Sequence, residues 1–235
     1  MHFIDNMSHR LVIPDIHGCV RTLQALLDQV APTMEDQLFF LGDYIDKGPD
    51  SAGVIDLLLD LKSKGYRLHF LRGNHEENFM VAFQDWADNL ELFRKFVTRI
   101  NKAGNLLDDH GLPIERYWRF MEATDYYIQL PEAILVHAGL RFDRPDPFED
   151  RVALLELRRM QFQREKVGGR MLIHGHVPTA LKTIEAAIES RGPIIPLDNG
   201  CVYADRHRVY DHTQMGHLLC LNLDTWELHR QPYID

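Results

Sequence analysis

Short apolar runs recur along the chain, and each closes on a polar cluster. Leu11-Val12-Ile13 leads into Pro14-Asp15-Ile16-His17-Gly18, and Leu38-Phe39-Phe40-Leu41 into Gly42-Asp43-Tyr44-Ile45-Asp46. Leu68 to Leu71 leads into Arg72-Gly73-Asn74-His75-Glu76, Ala133 to Val136 into His137-Ala138-Gly139, and Met171-Leu172-Ile173 into His174-Gly175-His176. One such cluster reads as a turn, because Gly, Asp and Asn are turn formers. Five of them, each placing Gly near Asp or His, call for a further account. Helical patterns fill the early gaps. Leu23, Leu26, Leu27 and Val30 share one face of a predicted helix over 20–30. A second predicted helix starts at Ser51 as its cap, runs to Lys64 and stops at Gly65, with Val54, Leu57, Leu58 and Leu61 inward. Strand–helix–strand alternation implies an α/β layered fold, in which ligands gather outside the carboxyl ends of strands.

The rhythm breaks from about Phe79 to Leu130. This stretch is helix-like, aromatic and charged, with Phe83, Trp86, Leu90, Phe93 and Phe96, then Tyr117, Trp118, Phe120, Tyr126 and Tyr127. It reads as a helical cap packed on the main core, its rim shaping a cleft. After Pro193 the pattern turns to strands again at Ile194 to Leu197, Leu218 to Leu223 and Trp226 to His229. These are expected to form a second sheet that closes a sandwich. No repeat or linker divides the chain, so 1–235 is expected to be one domain carrying 79–130 as a helical insertion.

The 235 residues include 26 Lys+Arg against 35 Asp+Glu, a formal charge of -9. An acidic whole argues against a nucleic-acid binder, which needs a basic face. No apolar run reaches the ~18 residues of a membrane span, and the N-terminus lacks a basic-then-apolar leader pattern. Three cysteines, Cys19, Cys201 and Cys220, do not make a disulfide framework, so a reducing cytoplasm is the expected compartment. Cys19, beside the first polar cluster, reads as a small buried filler.

Asp15, His17, Asp43, Asn74, His137 and His176 are hard or borderline ligands for a divalent ion, without a thiolate among them. Carboxylate, imidazole and amide-oxygen donors together suit Mn²⁺, Fe or Zn²⁺. Two ions about 3.5–4 Å apart need a bridging carboxylate with separate ligands on either side, and Asp43 is the expected bridge. Other chemistries lack their signatures. No second histidine completes a zinc helix from His75, no cysteine has an arginine six residues on, and neither a GxxxxGK loop nor a GxSxG elbow occurs.

The ordered motifs PDIHG, GDYIDKG, RGNHE, VHAG and HGH resemble those of the calcineurin-like metallophosphoesterase superfamily, nearest its phosphoprotein phosphatase family. The resemblance implies a metallophosphoesterase β-sandwich of two mixed sheets flanked by helices. It gives Asp15, His17 and Asp43 as ligands of a first metal, and Asp43, Asn74, His137 and His176 as ligands of a second, the ions being Mn with Fe or Zn as alternatives. It implies His75 as general acid with Asp46 as its carboxylate partner, and Arg72, Arg158 and Lys47 as phosphate-binding groups. Two departures stand out. Pro14 replaces the family's usual glycine, and Lys47 replaces its arginine, giving a point charge where the family has a bidentate fork.

The activity implied is hydrolysis of phosphomonoesters by in-line attack of a metal-bridging hydroxide, most simply on phosphoserine or phosphothreonine in a protein or peptide, or on a small phosphate ester. The alternative is a dinucleoside polyphosphate hydrolase. Asp198-Asn199-Gly200 reads as a supporting turn, and His110, His207, His212, His217 and His229 as surface or locally bonded groups. The sequence does not specify an oligomeric state.

Overall fold

The computed structural model describes residues 8–204 and 213–235, so His207 and His212 lie outside the described residues. The chain is α/β, with two mixed sheets face to face and helices on their outer sides. The first sheet has the order β3-β2-β1-β8-β9, built from Arg67–Phe70, Gln37–Phe40, Arg10–Ile13, His217–Asn222 and Leu228–Pro232. Strands β1, β2 and β3 run parallel, whereas β8 is antiparallel to both β1 and β9. The second sheet has the order β4-β5-β6-β7, from Tyr127–Gln129, Ala133–Val136, Met171–His174 and Ile194–Pro196, with β4 antiparallel to a parallel trio.

Side-chain alternation along each strand explains the layering. On β1, Val12 enters the core between the sheets while Leu11 and Ile13 face the helices outside. On β2, Phe39 turns inward with Val12, and Leu38 and Phe40 turn outward. Leu135, Ile173 and Ile195 meet them from the second sheet. The outer face of the first sheet is covered by α1 (Val20–Val30) and α2 (Ser51–Ser63). Leu23 and Leu26 of α1 are fully buried there, each worth roughly 1.5–3 kcal/mol of apolar transfer.

Three expectations are corrected. Asp50, not Ser51, caps α2, its carboxylate accepting from the Gly53 N–H at 2.8 Å. Ser51 is the first helical residue, and its hydroxyl accepts instead from the Asp46 N–H at 2.9 Å. The strands after Pro193 do not form a sheet of their own: β7 completes the second sheet, and β8 and β9 extend the first. Finally, Tyr127 belongs to β4 rather than to the helical stretch, because it pairs with Val136 of β5.

Within 79–130 the helices are the rest of α3 (Asn74–Asp85), then α4 (Leu90–Lys95), a π-helical turn (Phe96–Ile100), a 3-10 turn (Gly104–Leu106) and α5 (Glu115–Glu122). Their buried Phe79, Phe93, Tyr117 and Phe120 join the same apolar cluster as α1 and α2. Two polar contacts tie this region to the loop after β2. The Lys47 N–H donates to the Asn101 carbonyl at 2.9 Å, and the Asn105 side-chain amide donates to Asp50 at 2.7 Å.

Candidate metal centre and active site

All five polar clusters follow the carboxyl ends of β1, β2, β3, β5 and β6, and their side chains converge. Two groups of donors form. In one, ligand atoms of His17, Asp43 and His75 lie within 4.8 Å of one another; in the other, those of Asp43, His137 and His176 do. Asp43 belongs to both. Its Oδ2 is 3.4 Å from His17 Nε2, and its Oδ1 is 3.5 Å from His137 Nε2. Asn74, the first residue of α3, projects its side-chain oxygen to 3.1 Å from both His137 Nε2 and His176 Nδ1.

The backbone bends sharply to achieve this. Nine non-glycine residues among those described have positive φ, and five of them are His17, Asp43, Asp46, Lys47 and His176. That conformation is costly for side-chain-bearing residues and gathers at functional sites.

The imidazoles are oriented from behind. His17 Nδ1–H donates to the Ile45 carbonyl at 2.9 Å, and His137 Nδ1–H to the Leu41 carbonyl at 2.8 Å. This fixes the tautomer and turns each Nε2 lone pair toward the cluster. Burial pushes the pKa of both rings down and keeps them neutral; for His17 the Lys47 ammonium adds to this effect. Burial, with neighbouring His137 second, lowers His176 to about 3.

Burial opposes ionisation of Asp43, yet the charges of His75 and Lys47 beside it hold it well below the usual carboxylate range. Asp15 is pushed well up by burial and by the nearby carboxylates of Asp198 and Asp43.

A divalent-cation site fits these residues. In the neutral tautomer set by Leu41, His137 Nε2 is a lone pair facing the Asn74 oxygen, acceptor to acceptor. The buried Nε2 of His176 has no hydrogen-bond partner. Lys47 brings its ammonium to 2.7 Å from His17 Nε2, so that lone pair already faces positive charge. Nitrogen and oxygen donors without a thiolate match Mn²⁺, Fe or Zn²⁺.

The sequence-predicted residues fall into distinct places. His17, Asp43, Asn74, His137 and His176 meet at the centre, whereas His174 bonds the Gly175 carbonyl and stays out of both donor groups. Asp15 lies against the centre but in neither three-donor group; its carboxylate accepts from the His176 N–H at 3.0 and 3.1 Å. His75 Nδ1 bonds Asp46 Oδ2 at 2.6 Å. Burial opposes protonation of His75, but Asp43 and Asp46 raise its pKa; burial raises that of Asp46. Arg158 is exposed, and its charge reaches His176.

Arg72 does not have the freedom expected of a phosphate-binding group. Its five N–H donors go to Thr124 Oγ1, Glu77 Oε2, the Tyr126 hydroxyl and the carbonyls of Met121 and Glu122, at 2.7–3.4 Å. Its guanidinium binds the end of α5 to the start of α3 and is spent as a brace.

One residue escapes the sequence reading. Glu76 is fully buried, and its carboxylate accepts from the backbone N–H groups of Asp43, Tyr44, Ile45 and Gly73 at 2.9–3.2 Å. Burial, then the charge of Asp43, raises it to about 7. The available signal was its place three residues after Gly73, the capping-box position of a helix start. Tyr203, which the sequence places near the phosphate pocket without assigning it to the site, has its ring 5.3 Å from the Lys47 ammonium. Asp198 and Asn199 form the expected supporting turn, Asp198 accepting from the Gly200 N–H at 2.7 Å and Asn199 donating to the Thr179 and Gln214 carbonyls.

Among known proteins, the family model described as calcineurin-like phosphoesterase matches residues 9–189. The asymmetrical bis(5'-nucleosyl)-tetraphosphatase PrpE of Geobacillus thermodenitrificans (strain NG80-2) is 26% identical over 221 residues, covering 83% of this chain and 86% of the relative. The PP2A-like serine/threonine-protein phosphatase PPG1 of Saccharomyces cerevisiae is 30% identical over 135 residues, 55% of this chain but only 32% of the yeast protein. A solved structure provisionally assigned as a diadenosine tetraphosphatase aligns over 99% of this chain and 97% of its own, with a TM-score of 0.64 at 20% identity. A yeast serine/threonine phosphatase structure aligns over 97% of this chain and 81% of its own, with a TM-score of 0.57 at 15% identity. The family match over most of the chain, on this fold and with these converging donors, makes the protein a member of the calcineurin-like phosphoesterase family, a metallophosphoesterase that hydrolyses phosphate esters.

Proposed function

We propose that the chain is a two-metal hydrolase of dinucleoside polyphosphates such as diadenosine tetraphosphate. The sharing of Asp43 between two donor groups carries the two-metal reading. Asp15, His17 and Asp43 hold one ion, with Asp43, Asn74, His137 and His176 holding the other. Manganese is the expected metal.

When bound, the ions acidify water and neutralise negative charge on the phosphoryl oxygens. His75 supplies the other half of the reaction. Its Nδ1 is held by Asp46, so its Nε2 faces the centre and carries the proton that the departing oxygen takes. Lys47 and Arg158 attract and orient the phosphate.

For the substrate, length decides the ranking. The similarity to a tetraphosphatase extends across 86% of that relative, whereas the match to a protein phosphatase is confined to 32% of it. This reverses the order that the motif resemblance implies. The second reading, phosphoserine or phosphothreonine in proteins, keeps the support of the higher identity within that shorter segment. A head-to-head assay of the Mn²⁺-loaded enzyme on diadenosine tetraphosphate and on a phosphoserine peptide separates them. The dinucleotide is expected to be preferred by at least about tenfold in kcat/KM, a difference of about 1.4 kcal/mol; the opposite preference restores the phosphatase reading.

A further inference from the structure

The segment after α6 (Arg151–Glu156) lies directly on the loop that carries His137. A Cβ at Gly139 would come within 2.7 Å of the Met160 methyl and 3.3 Å of Leu157, so these two side chains occupy the space that glycine leaves free. The same segment and the chain that follows His137 line a depression of about 330 Å³. Leu140, Leu157 and Met160 contribute apolar lining, and Arg159, Gln161 and Gln163 contribute polar lining. Leu157 and Met160 line the depression and pack against Gly139, two residues after His137, and Leu140 of the same loop lines it as well, so the depression flanks the loop that carries this ligand.

The three polar side chains are exposed and make no hydrogen bond or ion pair among the described residues. Arg141, on the opposite wall, is already satisfied by a two-point pairing with Asp143 at 2.7 and 2.8 Å. The free polar groups are therefore one planar cation and two carboxamides around an apolar floor. A guanidinium stacks on flat heteroaromatic rings. A glutamine amide both donates and accepts, which matches the paired donor and acceptor on the edge of adenine. A polarizable thioether below packs well against an aromatic ring. A simple phosphate would use the cation but neither amide nor floor.

The geometry points to a nucleobase subsite here, formed by Arg159, Met160, Gln161 and Gln163, that seats one base of the dinucleotide while its phosphate chain enters the metal centre past Arg158. This rests on the dinucleotide reading of the same centre and assigns the residues that would recognise the substrate.

The test compares kcat/KM for diadenosine tetraphosphate with that for inorganic tripolyphosphate, which has the phosphates and no base, using the full Mn²⁺-loaded chain. Gln161→Leu and Arg159→Ala change exposed side chains, and Gln163→Leu provides a third variant should either fold poorly. The ratio is expected to fall about tenfold or more in these variants, mainly through KM for the dinucleotide, in line with the cost of losing a stacked base. AMP is expected to inhibit tripolyphosphate hydrolysis in the wild type and to do so more weakly in the variants. A ratio unchanged in all variants overturns the subsite while leaving the dinucleotide reading intact. A wild-type enzyme that ignores the dinucleotide and turns over a phosphoserine peptide overturns that reading, and the subsite with it.

Discussion

His75 Nδ1 and Asp46 Oδ2 stand 2.6 Å apart, with the Asp46 side chain wholly buried and that of His75 mostly so. Asp46 is anchored in turn, its N–H donating to Ser51 at the start of α2. The imidazole can rotate little, and the proton it offers is on Nε2. The flanking carboxylates keep the protonated ring populated above its ordinary range.

The sign of the pH effect follows. A general acid works while protonated, so kcat should fall as pH rises through the raised pKa of His75. Asp46→Asn removes one charge that favours the imidazolium, so this alkaline limb should move to lower pH, with kcat down by about 10²-fold. A pH–rate profile of both enzymes on an aryl phosphate checks it; a limb that stays in place removes Asp46 from the role.

Lys47 and a metal compete for one lone pair. The ammonium is 2.7 Å from His17 Nε2, and an ion ligated by that nitrogen must displace it. Unit charges a few ångströms apart interact by several kcal/mol at an intermediate dielectric, before solvent screening. Lys47→Met should therefore tighten Mn²⁺ binding by about tenfold or more in calorimetry while weakening inhibition by phosphate. Weaker metal binding in the variant would contradict this.

Glu76 shapes the centre without entering either donor group. Its two oxygens take four backbone N–H groups, those of Asp43, Tyr44, Ile45 and Gly73. Glu76→Gln turns an NH₂ toward two of these donors, at about 1–3 kcal/mol for each buried group left unpaired. Thermal or denaturant unfolding should register a loss of about 2–6 kcal/mol, and metal content should fall because the Asp43 backbone is held here. An unchanged unfolding midpoint would show that these contacts are dispensable.

Arg72→Ala should be a stability variant. The change leaves the Met121 and Glu122 carbonyls and the Glu77 carboxylate without their charged partner. Loss of a buried charged bond costs about 1.5–3 kcal/mol, read by denaturant unfolding, whereas the inhibition constant for phosphate should not move. A large rise in that constant would return Arg72 to the phosphate site.

Much of this was legible in the chain because motif and strand end coincide. The runs at Ile13, Phe40, Phe70, Val136 and His174 each stop where the chemistry begins, and hydrophobic spacing placed α1 at its observed bounds. What escaped depends on partners distant in sequence. Asp50 outcompetes Ser51 as a cap because Ser51 is taken by Asp46. Arg72 is claimed by carbonyls about fifty residues away. Glu76 resembled an ordinary helix-start glutamate until the β2 loop was folded over it. Strand membership after Pro193 is likewise set by pairing across the sandwich, which local periodicity does not encode.

The central claim is a pair of ions held through Asp43, and metal content measured alongside turnover tests it most directly. The wild-type chain equilibrated with Mn²⁺ should carry two ions, lose aryl phosphate hydrolysis on chelation and regain it when Mn²⁺ is returned, while Asp43→Asn should lose both ions and turnover. Full hydrolysis by chelated, metal-free protein, or an Asp43→Asn variant that still holds two ions and turns over normally, would contradict the account.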